Sequence, residues 1–335
     1  MSGARVARRA SIVLLALAMV ALGAWCALAL WYWCGGQEPW RSLLAGAAAT
    51  GTLVAVAGLA RQRWWRPVTV YGVAVALVLL WWATLAPTHH RDWAPEVARS
   101  VTATFAGDRV VLRNVRNFTW RSDADFDPIW EDRTYALSHV TDVDLLMSYW
   151  MGEAIAHTIV SFGFDDAPRL AFSIEIRKEA QEHFSALAGF FKQYELALIA
   201  ADERDVVRVR SNVRGEDVRL YRLNMTPSQA ARLLRVYLEE ANTLARTPRF
   251  YNTLTSNCTT LVFEMVRSIH PGLPLDARII FSGYLPNYAY AVGALDTRLA
   301  FARLRELARI HDKAVQADAD PRFSEQIRAG VPVPQ

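Results

Sequence analysis

The sequence is poor in cysteine. It has three in 335 residues, and two of them, Cys26 and Cys34, fall in or beside its first apolar run. Cys258 is thereby left without a disulfide partner in the rest of the chain. Between Arg9 and Glu38 no residue is charged. No phosphate-cradling glycine loop, internal repeat or low-complexity block is visible, so nucleotide-binding and solenoid classes have no support. The only adjacent histidine pair, His89 and His90, has no further ligand nearby, which speaks against a zinc site. No cofactor or metal is expected.

What is abundant is apolar length. With 53% hydrophobic residues and 21% charged ones, the composition raises a membrane question first. Residues 11–33, 42–60 and 67–87 form three uncharged runs, and roughly 20 residues suffice to cross a bilayer as a helix. A cleaved signal peptide would have a shorter apolar core than the first run offers. Gly46, Gly51 and Gly58 suit close helix packing in the second run, and Trp31, Trp33, Trp64, Trp65, Trp81 and Trp82 stand near the ends, where amphipathic rings prefer the headgroup layer. Arg5, Arg8 and Arg9 precede the first run, and Arg61, Arg63 and Arg66 separate the second from the third. Positive charge stays inside, so the amino terminus is expected in the cytoplasm and everything after about His89 on the outer face. The net charge of +4 needs no nucleic-acid partner, because these flanking arginines supply part of it.

The expected organisation is a membrane domain over 1–88, an exported α+β domain over 89–317 and a loose tail over 318–335. In the exported part, residues 101–117 read as two strands across an Ala-Gly-Asp turn, and residues 118–135 as an irregular loop. Ala156 to Phe164 and Arg169 to Arg177 read as a hairpin because β-branched and aromatic residues dominate both arms. Residues 181–200 show roughly helical spacing, and residues 202–223 read as a second hairpin turning at Arg214-Gly215. Thr226, Pro227 and Gln229 announce a helix through a capping box. A second helix is expected from Asn257 to Ile269, ended by His270-Pro271, and a third from Leu295 to Ala317.

Cys258 then falls in the first turn of a helix capped by Ser256 or Asn257, where free amides and the macrodipole favour an anion. A histidine nearby would lower its pKa further and make it a nucleophile. Of seven histidines, His157 is the best base, opening a strand among apolar residues that would hold its ring. His89 and His90 adjoin the membrane, and His183 and His311 lie on polar helical faces. His270 closes the cysteine helix, about 18 Å along its axis at 1.5 Å per residue, too far to serve. If the hairpin loop is 165–167, Glu175 lies opposite His157 and can orient the imidazole, whereas a one-residue slip would turn it away. A buried, inert thiol, a satisfied core histidine and a surface carboxylate paired with Arg177 or Lys178 are the alternatives.

The stretches AHTIVSFGF, LAFSIEIRKE, KQYEL, ADERDVV and FYNTLTSNCTT, taken in this order, resemble the Lnb-type periplasmic domain of bacterial membrane proteins, roughly from Trp93 to Pro271. The resemblance implies a permuted papain-like, NlpC-like thiol-enzyme fold in which histidine precedes cysteine, with Cys258 as nucleophile, His157 as base and Glu175 as orienting group. It implies, further, an acyltransferase moving a fatty acyl chain within lipoproteins, at a bacterial inner membrane. The chain departs from that branch in having three apolar runs ahead of the domain and none evident behind it. A cysteine peptidase or amidase acting on cell-wall peptide or protein uses the same residues, and a membrane-bound binding module uses none of their chemistry. An apolar groove around Cys258 favours acyl transfer to or from a lipid or lipoprotein; a polar open cleft favours hydrolysis. No protein partner is indicated.

Overall fold

The computed structural model describes residues 3–33, 39–318 and 320–334. Cys34 and Glu38 lie outside them. The chain divides into two units, one of residues 1–88 with 185–193, the other of residues 89–184 with 194–335.

In the first unit, three helices, α1 (Gly3–Trp33), α2 (Trp40–Gly58) and α3 (Trp65–Thr84), are each long and apolar enough to cross a membrane. Their large apolar side chains, such as Leu14, Leu53 and Leu80, are exposed, which is stable only if lipid rather than water meets them. The close helix approaches match the expected ones only at Gly58. Gly46 and Gly51 face open space, whereas a Cβ on Gly23 would collide with Thr52 of α2, and one on Gly58 with Pro67. Residues 185–193 add Phe191, which stacks on Tyr32, and Lys192, whose carbonyl accepts from the Trp33 indole at 2.9 Å.

The second unit is built on an eight-stranded sheet. Its strands are β1 (Thr102–Ala106), β2 (Arg109–Arg116), β5 (Trp130–Ala136), β6 (Val140–Tyr149), β7 (Ala156–Phe164), β8 (Leu170–Arg177), β9 (Glu195–Ala201) and β10 (Asp217–Arg222), with a separate pair β3 (Thr119–Trp120) and β4 (Phe126–Asp127). The order is β1-β2-β9-β8-β7-β6-β10, with β5 also on β2. Side chains alternate between two cores, as pleating dictates. Leu145, Val160, Phe162, Phe172 and Leu198 pack with α5 (Pro227–Arg246) and α6 (Cys258–Ile269). Leu146, Ile159, Ala171 and Ile199 pack beneath α4 (Glu203–Val206), α10 (His311–Gln316) and α11 (Phe323–Gln326). Short helices α7 (Ala277–Ile280), α8 (Leu285–Ala291) and α9 (Phe301–Leu307) complete the unit. The capping box at Thr226 and Gln229 is present.

Five expectations are corrected. Residues 118–135 hold β3, β4 and most of β5 rather than an irregular loop. The end of the stretch with helical spacing is β9, buried on both faces and so lacking a strand's alternation. Residues 203–213 are α4 and a π-helical turn, Val209–Val213, not the first arm of a hairpin. The third helix breaks at 308–310, because the Ala308 carbonyl accepts from Leu220 and Ile310 donates to Val218, extending the sheet past β10. Finally, the described residues of the tail pack: Phe323 and Ile327 are fully buried, and Arg328 donates to Asp144 and Glu203, each at 2.8 Å.

Candidate active site

The start of α6 is fixed by its own sequence. Asn257 caps it, accepting from the amides of Thr259 and Thr260 at 2.9 Å, while the Thr260 hydroxyl accepts from the Asn257 amide at 2.9 Å. The loop before it closes on itself, with Asn252 and Ser256 exchanging two backbone bonds of 3.0 Å. Cys258 is thereby the first helical residue, and its amide has no acceptor among the described residues. A free amide at a helix N-terminus is suited to an anion.

β7 and β8 supply the rest. Their ladder runs from Ile159↔Ser173 to Phe162↔Leu170, and continuing that count sets Glu175 beside His157. The side chains meet: His157 Nε2 lies 2.6 Å from Ser173 Oγ and 3.2 Å from Glu175 Oε1, and Ser173 donates to Glu175 at 2.7 Å. His157 and the Cys258 thiol also act on each other electrostatically. The three residues singled out from sequence therefore converge at one end of the sheet, where β7 begins, β8 ends and α6 starts.

Their electrostatics favour separated charge. Burial works to push the Cys258 thiol up, but the hydrogen bond and charge of His157, the Thr158 amide and the Thr259 hydroxyl outweigh it, so the thiol lies below its ordinary value. Burial and the Arg210 charge push His157 down, and the charge of Glu175 with the thiol bond raises it above the ordinary imidazole range. Burial would raise Glu175, yet the charges of His157 and Arg210 hold it well below the usual carboxylate range. Both directions favour a thiolate facing an imidazolium.

Two participants were not singled out in the sequence. Ser173 shares the strand face of Glu175, two residues before it, and the same alternation that places Glu175 would have found it. Arg210 donates to Glu175 at 3.0 Å and to Glu216 at 3.3 Å; it sits in the π-helical turn that resembled a strand. Tyr251 also faces the thiol and Glu175, and its hydroxyl is pushed up by burial and then by their charges.

The other histidines lie elsewhere. His89 meets the Arg177 guanidinium at 2.9 Å, and His139 pairs with Asp165 at 2.7 Å and with Asp166 at 3.3 Å. Those last three side chains are the one group among the described residues spaced to hold a metal, and they are largely exposed. They lie past the far end of β7 from His157, roughly 25 Å away at about 3.3 Å per residue.

No curated protein and no solved structure matches the chain. Residues 126–283, which include Cys258, His157, Ser173, Glu175 and Arg210, match the family model described as the Lnb N-terminal periplasmic domain.

Proposed function

We propose that the chain is a membrane-anchored, cysteine-dependent acyltransferase working on acyl esters of a lipid or lipoprotein through a Cys258 thioester, in a permuted papain-like, NlpC-like arrangement. The observation that carries this is the meeting of Cys258, His157, Ser173 and Glu175 at the capped start of α6. Three membrane-crossing helices, with the amino terminus in the cytoplasm and the catalytic domain in the periplasm, tether the site to the inner bacterial membrane where diacyl substrates are concentrated.

The thiolate attacks the ester carbonyl carbon, and the oxyanion that forms takes a hydrogen bond from the Cys258 amide, a contribution worth about 3 to 4 kcal/mol per well-placed donor. The C–O bond then breaks; the leaving alkoxide takes the His157 proton, and the acyl chain stays on sulfur as a thioester. An amine attacks the thioester carbon, loses its extra proton to His157, and the thiolate is expelled. With Nε2 engaged by Ser173 and Glu175, Nδ1 is the ring atom free for this traffic.

Apolar side chains beside the site favour an acyl substrate over a peptide. The β6–β7 loop is bonded to the 282–284 turn: Gly283 donates to the Ala154 carbonyl at 3.0 Å, and the Ala156 amide to Ser282 Oγ at 2.9 Å. These two segments and the end of α7 expose Trp150, Met151, Ile280, Phe281 and Tyr284, and the Ser282 bond joins them to the start of the strand that carries His157. Mass spectrometry of lipoprotein amino termini in cells carrying the chain or its Cys258→Ala variant tests the proposal. The chain should add an acyl group that the variant does not; identical termini would remove acyl transfer and leave hydrolysis of an amide as the use of the same pair.

A further inference from the structure

Behind the thiol and imidazole lies a chain of buried charge that the acyl-transfer steps above do not use. Arg210 is almost fully buried. Its Nη2 donates to Glu175 at 3.0 Å, on the carboxylate oxygen that also meets His157 and Ser173. Its Nη1 donates to Glu216 at 3.3 Å, and the Ser148 hydroxyl donates to the same Glu216 oxygen. Nε has no partner among the described residues. Packing alone would be served as well by an apolar side chain of similar volume, which buries no charge and leaves no donor unmade.

We propose that Arg210 is a positioning residue: it clamps Glu175 where that carboxylate meets the His157 ring, and its buried charge keeps the imidazolium ready to release its proton. The inference rests on the acyl-transfer reading of the site. Glu175 alone would hold the proton too firmly for transfer to a leaving alkoxide, and an imidazole with no carboxylate would not hold it at all. Arg210 touches neither the thiol nor a substrate position, so its influence runs through Glu175 and through space.

The titratable and charged groups around it come from every neighbouring element: Glu175 of β8, Glu216 before β10, His157 of β7, Cys258 of α6 and Tyr251 of the loop before α6. Arg214 stands 3.9 Å from Glu216. Removing a fixed cation raises the proton affinity of every group it faces. Arg210→Met should therefore move both the His157 titration and the onset of Cys258 reactivity to higher pH, by about one unit for the imidazole. Arg210→Lys keeps the charge and should leave the titration with the parent.

The test uses the full chain in lipid nanodiscs with labelled histidine, His157 being assigned by its loss in a His157→Gln variant. Imidazole resonances are followed across pH by NMR, and iodoacetamide labelling of the Cys258 peptide is measured in parallel. An alkaline shift in Arg210→Met, absent in Arg210→Lys, supports the proposal. Unchanged or lower titration in a folded Arg210→Met, with only thermal stability reduced, overturns it and leaves Arg210 a structural residue. Should Arg210→Met not fold, Glu216→Gln decides: it leaves the Arg210 charge less compensated and should lower the His157 titration, and no movement overturns the proposal. A parent Cys258 that labels like an ordinary thiol would instead sink the acyl-transfer reading, while the His157 shifts would still report on Arg210.

Discussion

Replacing Glu175 with glutamine removes one charge and almost no volume, so its consequence can be worked from three distances. The carboxylate stands 3.2 Å from His157 Nε2, 2.7 Å from the Ser173 hydroxyl and 3.0 Å from Arg210. Two unit charges 3.2 Å apart interact by about 5 kcal/mol at an effective dielectric near 20. Opposite-charge contacts of this kind move a pKa by about 1 to 3 units. Taking two units, or about 2.7 kcal/mol, Glu175→Gln should bring His157 from above the ordinary imidazole range to below it. The Arg210 charge, now facing no anion on that side, pushes the same way. At neutral pH the thiolate–imidazolium form competes with its proton-swapped neutral form, and the swap favours the neutral one once the imidazolium is destabilised. The thiolate recovers part of the loss because it no longer faces a nearby anion, so Cys258 alkylation at pH 7 should fall by about tenfold rather than a hundredfold. NMR titration of the His157 ring and iodoacetamide labelling of the Cys258 peptide measure the two effects separately. A His157 that titrates where it did before, or higher, would refute this electrostatic account.

Further substitutions probe what holds the site in place. Arg328→Met strips cations from Asp144 and Glu203, both without side-chain exposure; breaking buried pairs of this sort costs about 3 to 5 kcal/mol, read as a lower thermal midpoint and protease cleavage after residue 318. Burial pushes the Glu203 carboxyl up, but the charge and hydrogen bonds of Arg328, with Arg169 and Ser161, bring it down to about 2. Its folded value is thus below its unfolded one, so the stability it contributes is present above about pH 4.5 and is lost as pH falls toward 2, which acid unfolding followed by circular dichroism would register. Asn257→Ala removes the cap of α6 and should cost about 1 to 2 kcal/mol in thermal unfolding, with slower Cys258 labelling as the first turn frays. Tyr237→Phe should stabilise the domain by about 1 kcal/mol, because the Tyr237 hydroxyl is buried without a partner among the described residues.

The parts of the site legible in the sequence were those whose geometry is local. A hairpin with a short loop fixes its own register, so the loop at 165–167 already implied that Glu175 opposes His157. The polar run before Cys258 implied a helix start, since asparagine beside apolar periodicity caps one. What stayed hidden depended on partners far along the chain. Arg210 sits in DVVRVR, which alternates like a strand; yet Val206, Val207 and Val209 are all buried, and that burial on more than one side comes from the helices over the sheet rather than from the segment itself. The tail has the charged composition of loose chain, and it is ordered because Arg328 finds carboxylates some hundred or more residues away.

Two carboxylate clusters on the same sheet show how charge balance separates structure from chemistry. Asp142, Asp144 and Glu203 are met by Arg169, Arg222 and Arg328, three anions against three cations. Such a set is complete in itself and has no reason to attract another proton. Glu175 and Glu216 share the single buried Arg210, two anions against one cation, with Arg214 only distantly placed at 3.9 Å. The deficit is one positive charge, and a proton on His157, favoured by the Glu175 charge, would supply it. A protonated His157 in turn gives the Cys258 thiolate its counter-ion, so the reactive form of the thiol is prepared by an imbalance four side chains deep. An additional cation placed in this chain, for instance by Ser148→Lys, which stands beside Glu216 and opposite His157 on the neighbouring strand, should therefore lower the His157 titration; a titration that did not move would mean that this charge count does not set it.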